Sequence, residues 1–467
     1  MTESSPPDPS PAAAARHDLL ATSQERRARG KGARKQVPRG ALGYWREADR
    51  GHDALKTILA QNQIRIPELL PIRHQRMAVS AWNYYRGAAA VMASDLAGQP
   101  HSGLEVQLCG DAHVLNFGLW ATPERNLSFD LRDFDETLPG PFEWDVKRLA
   151  ASLVVAAREN RVRPARAAAA VTAGVQAYGR RIRRYATMPE LDIWYDGVPV
   201  DRFIRYFESA DRGRVSVHIE KKRKRRTSRG AFAKLTAMAH GRPRITADPP
   251  VRVTIGDDEQ AALVDQLLTE YRLTLQDDRR SLFDRFTEVD VVRQVVGVGS
   301  VGMQVYLVLL EGRTGADPLF LQVKQAGPSV YEAHLQPSRY RHHGARVING
   351  KRLIQTATDI FAGWGSFHGK DYYVRQFRDM KIIPTTDLIA PRLAEFATAC
   401  GETLARAHAR TGDPAAIDAY IGNGAKFAAA IGQFARSYAD QNARDHAQLV
   451  SAIAAGVVES RPADRPA

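Results

Sequence analysis

Residues 109–118 read CGDAHVLNFG, and this short acidic loop decides the fold class that the sequence predicts. Asp111 and Asn116 stand five positions apart, a spacing at which a carboxylate takes up a hydroxyl proton while an amide oxygen holds a metal ion. Phosphoryl transfer needs both groups, together with a second carboxylate that shares the metal. Taken alone, the pair also suits a polar turn at the end of a strand, so the flanking sequence decides between the two interpretations.

The second carboxylate follows a strand-like apolar segment, LSFDL, at residues 127–131. The run RDFDE comes directly after it and contains Asp133 and Asp135. Asp133 occupies the position expected of a metal-chelating aspartate, and Asp135 is the alternative ligand. The predicted ion is Mg²⁺, held by Asn116 and by one or both of these aspartates.

The residues GDAHVLN, followed by DFD at residues 133–135 and then by EWDV at residues 143–146, keep the order of a known set of motifs. They resemble the G-D-x-H-x-x-N, I-D-F/W and D-L-A motifs of aminoglycoside and choline phosphotransferases, which are relatives of protein kinases. The resemblance implies that Asp111 is the catalytic base and that His113 lies near the transferred phosphate. It also implies that Asp145 is a helix N-cap residue whose carboxylate supports the backbone of the catalytic loop.

A glycine-rich segment lies much later in the chain, in RQVVGVGSVGMQVYLV at residues 293–308. Strand-like residues flank it on both sides, which favours a hairpin around phosphates over the helix-opening dinucleotide fingerprint of the same spacing. The same glycine spacing also occurs in ordinary tight turns. We predict that nucleotide phosphates contact Gly297, Gly299, Ser300 and Gly302.

A lysine-bearing strand follows the glycines. PLFLQVKQA, at residues 318–326, ends near Lys324, which is the lysine expected on the α- and β-phosphates. A helix carboxylate normally orients such a lysine, and Glu332 is the nearest downstream candidate.

Two later segments extend the resemblance to kinases. DYYVRQF, at residues 371–377, resembles the strand that leads into the kinase hinge, where the backbone near Gln376 and Phe377 would bind adenine. LARAHA, at residues 404–409, looks like the L-x-x-L-H-A helix that precedes the catalytic loop in these phosphotransferases. An ordinary amphipathic packing helix is the alternative for LARAHA.

The order of these motifs is reversed, because in kinases the glycine loop and lysine precede the catalytic loop. A circular permutation explains the order, since joining two lobes differently leaves their shared site intact. The predicted fold class is therefore α+β, a two-lobed kinase-like fold with a mainly helical catalytic lobe first and an antiparallel-sheet nucleotide lobe second. The chain is also similar to a bacterial family, domain of unknown function 2252, in the segments YRGAAAVMASDL, QLCGDAHVLNFG, FDETLPGPFEWDVKRLAASL, VVGVGSVG, FLQVKQA and YYVRQFRDMK.

The predicted organisation has four parts. Residues 1–45 are rich in Pro, Ala, Ser and basic residues, too poor in apolar side chains to offset the entropy of ordering, and are predicted to be a disordered or loosely docked tail. The helical catalytic lobe is expected at residues 46–285 and the nucleotide-binding sheet lobe at residues 286–385. Helices in residues 386–467 are expected to pack back on the catalytic lobe.

Composition limits the class of protein. The 467 residues include 66 basic and 52 acidic side chains, a net charge of +14 that suits phosphorylated ligands, nucleic acid or an anionic surface. The densest basic run, at residues 220–238, is interpreted as a solvated helix face or linker, with a polyanion-binding patch as the alternative.

Cys109 and Cys400 are too few for a disulfide framework and are expected to be buried thiols. Without a long apolar run, the sequence predicts a cytoplasmic protein with no membrane span.

Together these features predict an ATP- and Mg²⁺-dependent phosphotransferase acting on an unidentified hydroxyl acceptor, with a small molecule favoured over a protein. Arg73, Arg76 and Arg86 precede the catalytic loop and would bind an anionic acceptor or form structural salt bridges. The alternatives are a non-catalytic nucleotide-binding module, an enzyme that transfers AMP, and a polyanion-binding protein. Nucleic acid is disfavoured because no base-reading module is recognisable.

Overall fold

The computed structural model describes residues 21–461 except 240, 296, 298, 300, 315, 316 and 379. The described part of the predicted tail differs from that prediction, because Ser23–Gln36 form a helix (α1) that packs on the C-terminal helices. Thr22 and Glu25 cap its first turn reciprocally. A Cβ atom at Gly30 would overlap the carbonyl oxygen of Ala416, so this close contact requires a glycine. Tertiary contacts thus order a segment whose composition alone favours disorder; residues 1–20 lie outside the described residues.

Short helices and strands lead to the acidic loop and then to two long helices. The helix Phe142–Glu159 begins where the strand Leu138–Pro141 ends, and its apolar face is buried against the helix Pro164–Tyr185. In chain order these elements are α2 (Ala54–Ala60), α3 (Leu70–Ala78), α4 (Ala81–Gly87), α5 (Ala89–Ala97), β1 (Glu105–Leu108), β2 (Phe117–Ala121), β3 (Leu127–Leu131), β4 (Leu138–Pro141), α6 (Phe142–Glu159) and α7 (Pro164–Tyr185).

Two small antiparallel ladders hold the acidic loops. Strand β1 pairs with β4, with Leu108 opposite Leu138, and β2 pairs with β3, with Phe117 opposite Leu131. The loop that carries Asp111 connects β1 to β2, and the loop that carries Asp133 connects β3 to β4. Both loops therefore leave the ladders at one end, although they are separate in sequence.

The middle of the chain mixes short helices and strands before the main sheet begins. These elements are α8 (Glu190–Tyr195), α9 (Val200–Arg205), α10 (Ser209–Arg225), α11 (Ser228–Leu235), β5 (Thr236–Ala239), β6 (Arg242–Ile245), β7 (Arg252–Thr254), α12 (Asp257–Ala262), α13 (Thr269–Leu273) and α14 (Asp277–Phe283), with a π-helical turn at Leu263–Leu268 joining α12 to α13.

The remaining elements are β8 (Thr287–Gln294), β9 (Val305–Glu311), β10 (Pro318–Ala326), α15 (His343–Ile354), β11 (Gly363–Phe367), β12 (Lys370–Gln376), α16 (Thr386–Ile389), α17 (Leu393–Ala409), α18 (Pro414–Ile421) and α19 (Ala425–Ala454). Within the described residues the main sheet has six strands in the order β11-β12-β10-β9-β8-β7, and every neighbouring pair is antiparallel. The chain is therefore a mixed α+β protein with antiparallel sheets, which confirms the α+β part of the prediction.

The sheet lobe is larger than predicted because both faces of its sheet need cover. Side chains alternate along β9, so Val308 packs toward Leu267 of the π-helical turn while Leu307 packs toward Ala231 of α11. Strand β7 also joins the sheet beside β8. The lobe thus begins near residue 228, not at residue 286, and it takes the end of the basic run as one of its cover helices.

Helices α6, α7, α17 and α19 form the core of the other lobe. Cys109 and Cys400 are buried free thiols, as predicted. Across residues 21–461, apart from the seven gaps given above, no helix is long and apolar enough to cross a membrane.

Candidate functional site

One cleft of about 420 Å³ lies between the helical lobe and the sheet lobe. Its walls come from segments that are far apart in sequence, because the acidic loops line one side and the sheet strands line the other. The predicted site residues that line it are Asp111, His113, Asp133, Asp135, Gly297, Gly299, Lys324 and Gln376.

The loop that carries Asp111 is held from below by Asp145. The Cys109 amide donates to one oxygen of the Asp145 carboxylate at 2.6 Å, and the Gly110 amide donates to the other at 3.0 Å. His408, in the LARAHA segment of α17, lies 3.3 Å from the same carboxylate. A Cβ atom at Gly110, where φ is +88°, would overlap the Glu136 carbonyl, so the turn requires glycine. Asp145 therefore positions the loop backbone.

Two details of the predicted role of Asp145 differ from the structure. Helix α6 begins at Phe142 with Pro141 as its N-cap, so Asp145 is in the first turn and is not the capping residue. The carboxylate is also fully buried and does not line the cleft. Its oxygens are taken up by the loop amides because the helix packs directly beneath the loop.

Asn116 ties the two acidic loops together and does not line the cleft. Its side-chain amide donates to the backbone oxygens of Asp111 at 2.8 Å and of Asp133 at 3.0 Å, and its oxygen accepts from the Asp133 amide at 2.8 Å. The residue is 1% exposed. The predicted role as a metal ligand is therefore corrected: both ends of the side chain already bind backbone groups.

Lys324 points across the cleft at the second acidic loop. Its ammonium group forms an ion pair with Asp135 and lies 3.9 Å from Asp133 Oδ1. Burial alone would raise the pKa of the Asp133 carboxyl, but the charges of Lys324 and Arg375 outweigh it and hold that pKa well below its usual range. Burial likewise opposes the charge on Lys324, yet the two aspartates raise the lysine pKa. Lys324 and Asp133 are therefore both charged at neutral pH.

Glu332 does not orient Lys324. It accepts hydrogen bonds from the Ser329 amide at 2.9 Å and the Ser338 amide at 3.3 Å, and it lies 3.7 Å from Arg346. The residue stands in a turn before α15, and the partner of the lysine is Asp135. The prediction failed because α15 itself carries no acidic side chain, so the lysine takes its carboxylate from the acidic loop.

The glycine loop is fixed by the helical lobe. Arg76 donates to the Gly297 carbonyl at 2.8 Å, and the Ile66 amide donates to the Gly302 carbonyl at 2.8 Å. Gly297 has a φ of +63°, and a Cβ atom added there would meet no atom within 4 Å, which leaves space on its cleft side. Gly302 packs against Arg65 and does not itself line the cleft, and Ser300 lies outside the described residues.

The predicted hinge backbone is already hydrogen-bonded within the protein. The Gln376 amide donates to the Asp359 carboxylate, and the Phe377 amide donates to the Phe320 carbonyl at 2.8 Å. These two N–H groups are thus not free to bind adenine, although the Gln376 side chain lines the cleft.

Asp111 is held by a buried arginine that the sequence interpretation missed. Arg148, three positions after Asp145, donates to Asp111 Oδ1 at 2.8 Å and is 1% exposed. Burial opposes ionisation of Asp111, but Arg148 and His113 lower the pKa of its carboxyl. Burial lowers the pKa of His113 to about 3, so its imidazole is neutral at physiological pH. An arginine on a buried helix face leaves no local sequence signal.

The cleft carries more positive than negative side chains. Arg86 is among them, whereas the buried Arg73 donates to Gln61 and Asn62 at 3.1 Å and does not line the cleft. Such a balance suits a polyphosphate ligand, which brings several negative charges. The basic lining residues are Arg65, Arg86, Arg132, Arg226, Lys324, Arg375, Arg378 and Lys381, and the acidic ones are Asp111, Asp133, Asp135 and Glu136.

Glu136 titrates close to neutrality and gives a test of the electrostatics of the cleft. Burial raises the pKa of its carboxyl to about 7, although the Val330 amide donates to it at 2.7 Å and opposes the rise. The folded state therefore retains a proton that the unfolded state releases, and this contribution to stability is lost as the pH rises through about 7. We expect Glu136→Gln, which cannot ionise, to gain stability relative to wild type between about pH 5 and about pH 8. Urea denaturation at both pH values measures this.

The control is Glu190→Gln, at an exposed position on α8. Its stability difference from wild type should stay constant over the same pH range. A constant difference for Glu136→Gln as well would contradict the raised pKa of Glu136.

Comparisons with known proteins place the chain in a family. No curated protein matches the sequence, and no solved structure matches the fold. The profile of the family described as "uncharacterized protein conserved in bacteria", domain of unknown function 2252, matches residues 65–452. That range includes both acidic loops, the glycine loop and Lys324, and it covers most of the chain. The chain therefore belongs to the domain of unknown function 2252 family, as the sequence motifs predicted.

Proposed function

We propose that this protein is an ATP-dependent phosphotransferase with a two-lobed, kinase-like fold in circularly permuted order. One observation carries the proposal: Lys324 of the sheet lobe faces Asp111, Asp133 and Asp135 of the helical lobe across a single cleft. The lysine comes from the strand after the glycine hairpin and the aspartates come from two loops of the other lobe. Phosphoryl transfer uses the same set of groups, a lysine on the phosphates opposite aspartates that serve the metal and the acceptor hydroxyl.

The nucleotide phosphates would lie between Lys324 and the glycine loop. Lys324 now neutralises Asp135, and a bound triphosphate would compete for its ammonium group. Arg86 and Arg375 line the same space and add positive charge where the phosphates carry negative charge. The lobes thus supply the electrostatic stabilisation on which phosphoryl transfer depends.

The residues present fit a Mg²⁺ ion that shares its ligands with the nucleotide. Asp133 Oδ1 is buried and accepts no hydrogen bond from a described residue, which leaves a lone pair for a cation. In the part of the chain that the structure describes, no group of three acidic, His or Cys side chains is placed to hold a metal. Mg²⁺ commonly takes one or two carboxylates and completes its shell with phosphate and water. The ion, when bound, screens the charge of the β- and γ-phosphates; Asp133 would hold it, with Asp135 beside it.

The transfer step needs Asp111 in its ionised form. The acceptor hydroxyl oxygen bonds to the γ-phosphorus while the bond from that phosphorus to the β-γ bridging oxygen breaks, and ADP leaves. The hydroxyl proton passes to the Asp111 carboxylate. Arg148 keeps the Asp111 carboxylate charged and fixes its direction. The main contribution of Asp111 is therefore to orient the acceptor hydroxyl. A small hydroxyl compound is the proposed acceptor.

Label transfer tests the proposal. ATP labelled at the γ or the α position is incubated with the protein, Mg²⁺ and a panel of polyols, amino alcohols and hydroxy acids, and ADP formation is followed in parallel. We expect transfer from the γ position. Asp111→Asn should lower turnover by about 10²- to 10⁴-fold because it loses the proton acceptor, while ATP still raises the melting temperature.

The matched control is Asp258→Asn, at an exposed position on α12, which should leave turnover unchanged. Label transferred only from the α position would identify an AMP-transferring enzyme instead. ATP binding with no turnover in wild type would identify a non-catalytic nucleotide-binding module. Absence of nucleotide binding, with salt-sensitive binding to a polyanion such as heparin, would favour the polyanion-binding alternative.

A further inference from the structure

A second, smaller pocket opens from the rear of the cleft. Its volume is about 50 Å³, and we call it the rear pocket. It lies among the end of β2, helix α15, the segment after α15 and the end of β12. Arg132, Arg375, Gln376 and Lys381 line both the rear pocket and the cleft, so the two spaces adjoin. Among the described charged side chains that line the rear pocket, Lys351 and Asp359 are the two that do not also line the cleft.

The rear pocket has an excess of positive charge. Four of its lining side chains are cationic, namely Arg132, Lys351, Arg375 and Lys381, and Asp359 is the one carboxylate among its described lining residues. The oxygens of Asp359 accept from the Phe361 amide at 2.8 Å and from the Gln376 amide. The carboxylate is therefore directed at backbone groups.

Two of the cations have no partner in the described structure. Lys351 is 8% exposed, and its ammonium group forms no hydrogen bond or ion pair with a described residue. The same holds for the Lys381 ammonium among residues 21–461 outside the gaps. Arg132 uses one nitrogen to donate to the Leu115 carbonyl at 3.0 Å, and Arg375 donates to Gln322 at 3.0 Å. The unpartnered donors thus converge on one small space.

Burying unpaired cations is unfavourable unless an anion completes the site. Burial lowers the pKa of Lys351 to about 8, although Asp359 opposes this, and it lowers the pKa of Lys381 well below its usual range. A set of structural salt bridges would have supplied an acidic partner for each cation, as Asp130 does for Arg406 in the helical lobe. In the rear pocket Arg375 lies 4.0 Å from the Asp133 carboxylate of the cleft, whereas the Lys351 and Lys381 ammonium groups have no acidic partner among the described residues. This surplus of cationic donors is the composition of an oxyanion site.

We propose that the rear pocket binds a tetrahedral oxyanion of the phosphate class. The volume holds one such group and is too small for a nucleotide, and the lysine and arginine donors suit its oxygens. The group is either free phosphate or the phosphate of an ester whose remainder extends into the cleft. The inference does not depend on ATP binding or on phosphoryl transfer.

Titration calorimetry of the full chain with inorganic phosphate tests the inference. Lys351→Gln removes a cation that belongs to the rear pocket alone, and we expect it to weaken phosphate binding about tenfold or more. Lys370→Gln, an exposed lysine at the start of β12, is the matched control and should bind phosphate as wild type does. The ATP-induced rise in melting temperature should persist in Lys351→Gln, which separates this site from the nucleotide cleft. Phosphate binding that is equal in Lys351→Gln and wild type would overturn the inference.

A second measurement does not depend on removing a charge. Trp120 lines the rear pocket, so phosphate should change its fluorescence, and this change should disappear in Trp120→Phe. Glycerol 3-phosphate distinguishes the two sources of the oxyanion. Tighter binding than phosphate, with the same dependence on Lys351, supports an ester that extends into the cleft; equal or weaker binding supports free phosphate. No Lys351-dependent binding of either probe overturns the inference.

Discussion

Lys324→Met is expected to abolish ATP binding and to lower phosphoryl transfer by about 10³-fold or more, because it removes the buried cation that faces the phosphates. The substitution also leaves Asp135 without its ion pair and Asp133 without its nearest lysine. Removing one partner of a fully buried pair costs about 3–5 kcal/mol. Asp135 is 30% exposed and Asp133 is 31% exposed, so solvent screens the charges left behind and the free energy of unfolding should fall by less than this. Urea denaturation measures the stability, and melting temperatures with and without ATP and Mg²⁺ measure the binding.

The double variant Lys324→Met/Asp135→Asn separates the two effects. Removing the charge of Asp135 as well should recover much of the lost stability, since no carboxylate then remains unpaired at that position. ATP binding should stay absent, because the cation for the phosphates is still missing. Lys370→Met, on the exposed end of β12, is the control for loss of a lysine. A Lys324→Met protein that still gains stability from ATP would show that this lysine does not bind the phosphates.

The sequence predicted the chemical groups of the cleft better than their contacts. Asp111, Asp133 and Lys324 were found because each stands at a fixed position relative to a strand, and strands are readable from local patterns of apolar residues. Helices were predicted in residues 386–467 from the same kind of pattern, and α17 and α19 lie there. The order of these short motifs along the chain is the basis of the predicted arrangement of the lobes.

Side-chain partners were predicted less well because they depend on tertiary packing. Glu332 is close to Lys324 in sequence, yet Asp135, on the other lobe, is the partner in the structure. Asn116 has the spacing of a metal ligand, but its side-chain amide is already hydrogen-bonded to the backbones of both acidic loops. Neither outcome is encoded by spacing alone, since both require the position of a loop that is remote in sequence.

The basic character of the cleft is a further property that no single segment reveals. Its cations come from positions near residues 65, 86, 132, 226, 324 and 375–381. Apart from Lys324 and Arg86, which were named from the sequence, each looks like an ordinary surface arginine or lysine in isolation. The run at residues 220–238 is the densest basic segment of the sequence because many of its charges are consecutive. Most of that run forms α10 and α11, and Arg226 is its one described contribution to the cleft lining. Convergence in space, and not density in sequence, makes the cleft basic.

Asp145→Asn is expected to lower turnover by about 100-fold while leaving the KM for ATP nearly unchanged, because it acts on the position of Asp111 and not on the nucleotide. The carboxylate accepts one amide on each oxygen, and an asparagine has a single acceptor oxygen, so either Cys109 or Gly110 loses its partner. An unsatisfied buried amide costs about 1–3 kcal/mol, and the free energy of unfolding should fall within that range. ADP formation at varied ATP concentrations gives kcat and KM separately.

Asp440→Asn, at an exposed aspartate on α19, is the control and should change neither kcat nor KM. A variant whose stability falls while its kcat stays at the wild-type value would restrict Asp145 to a structural role, since a loop displaced beneath Asp111 must change the rate of the step that Asp111 orients.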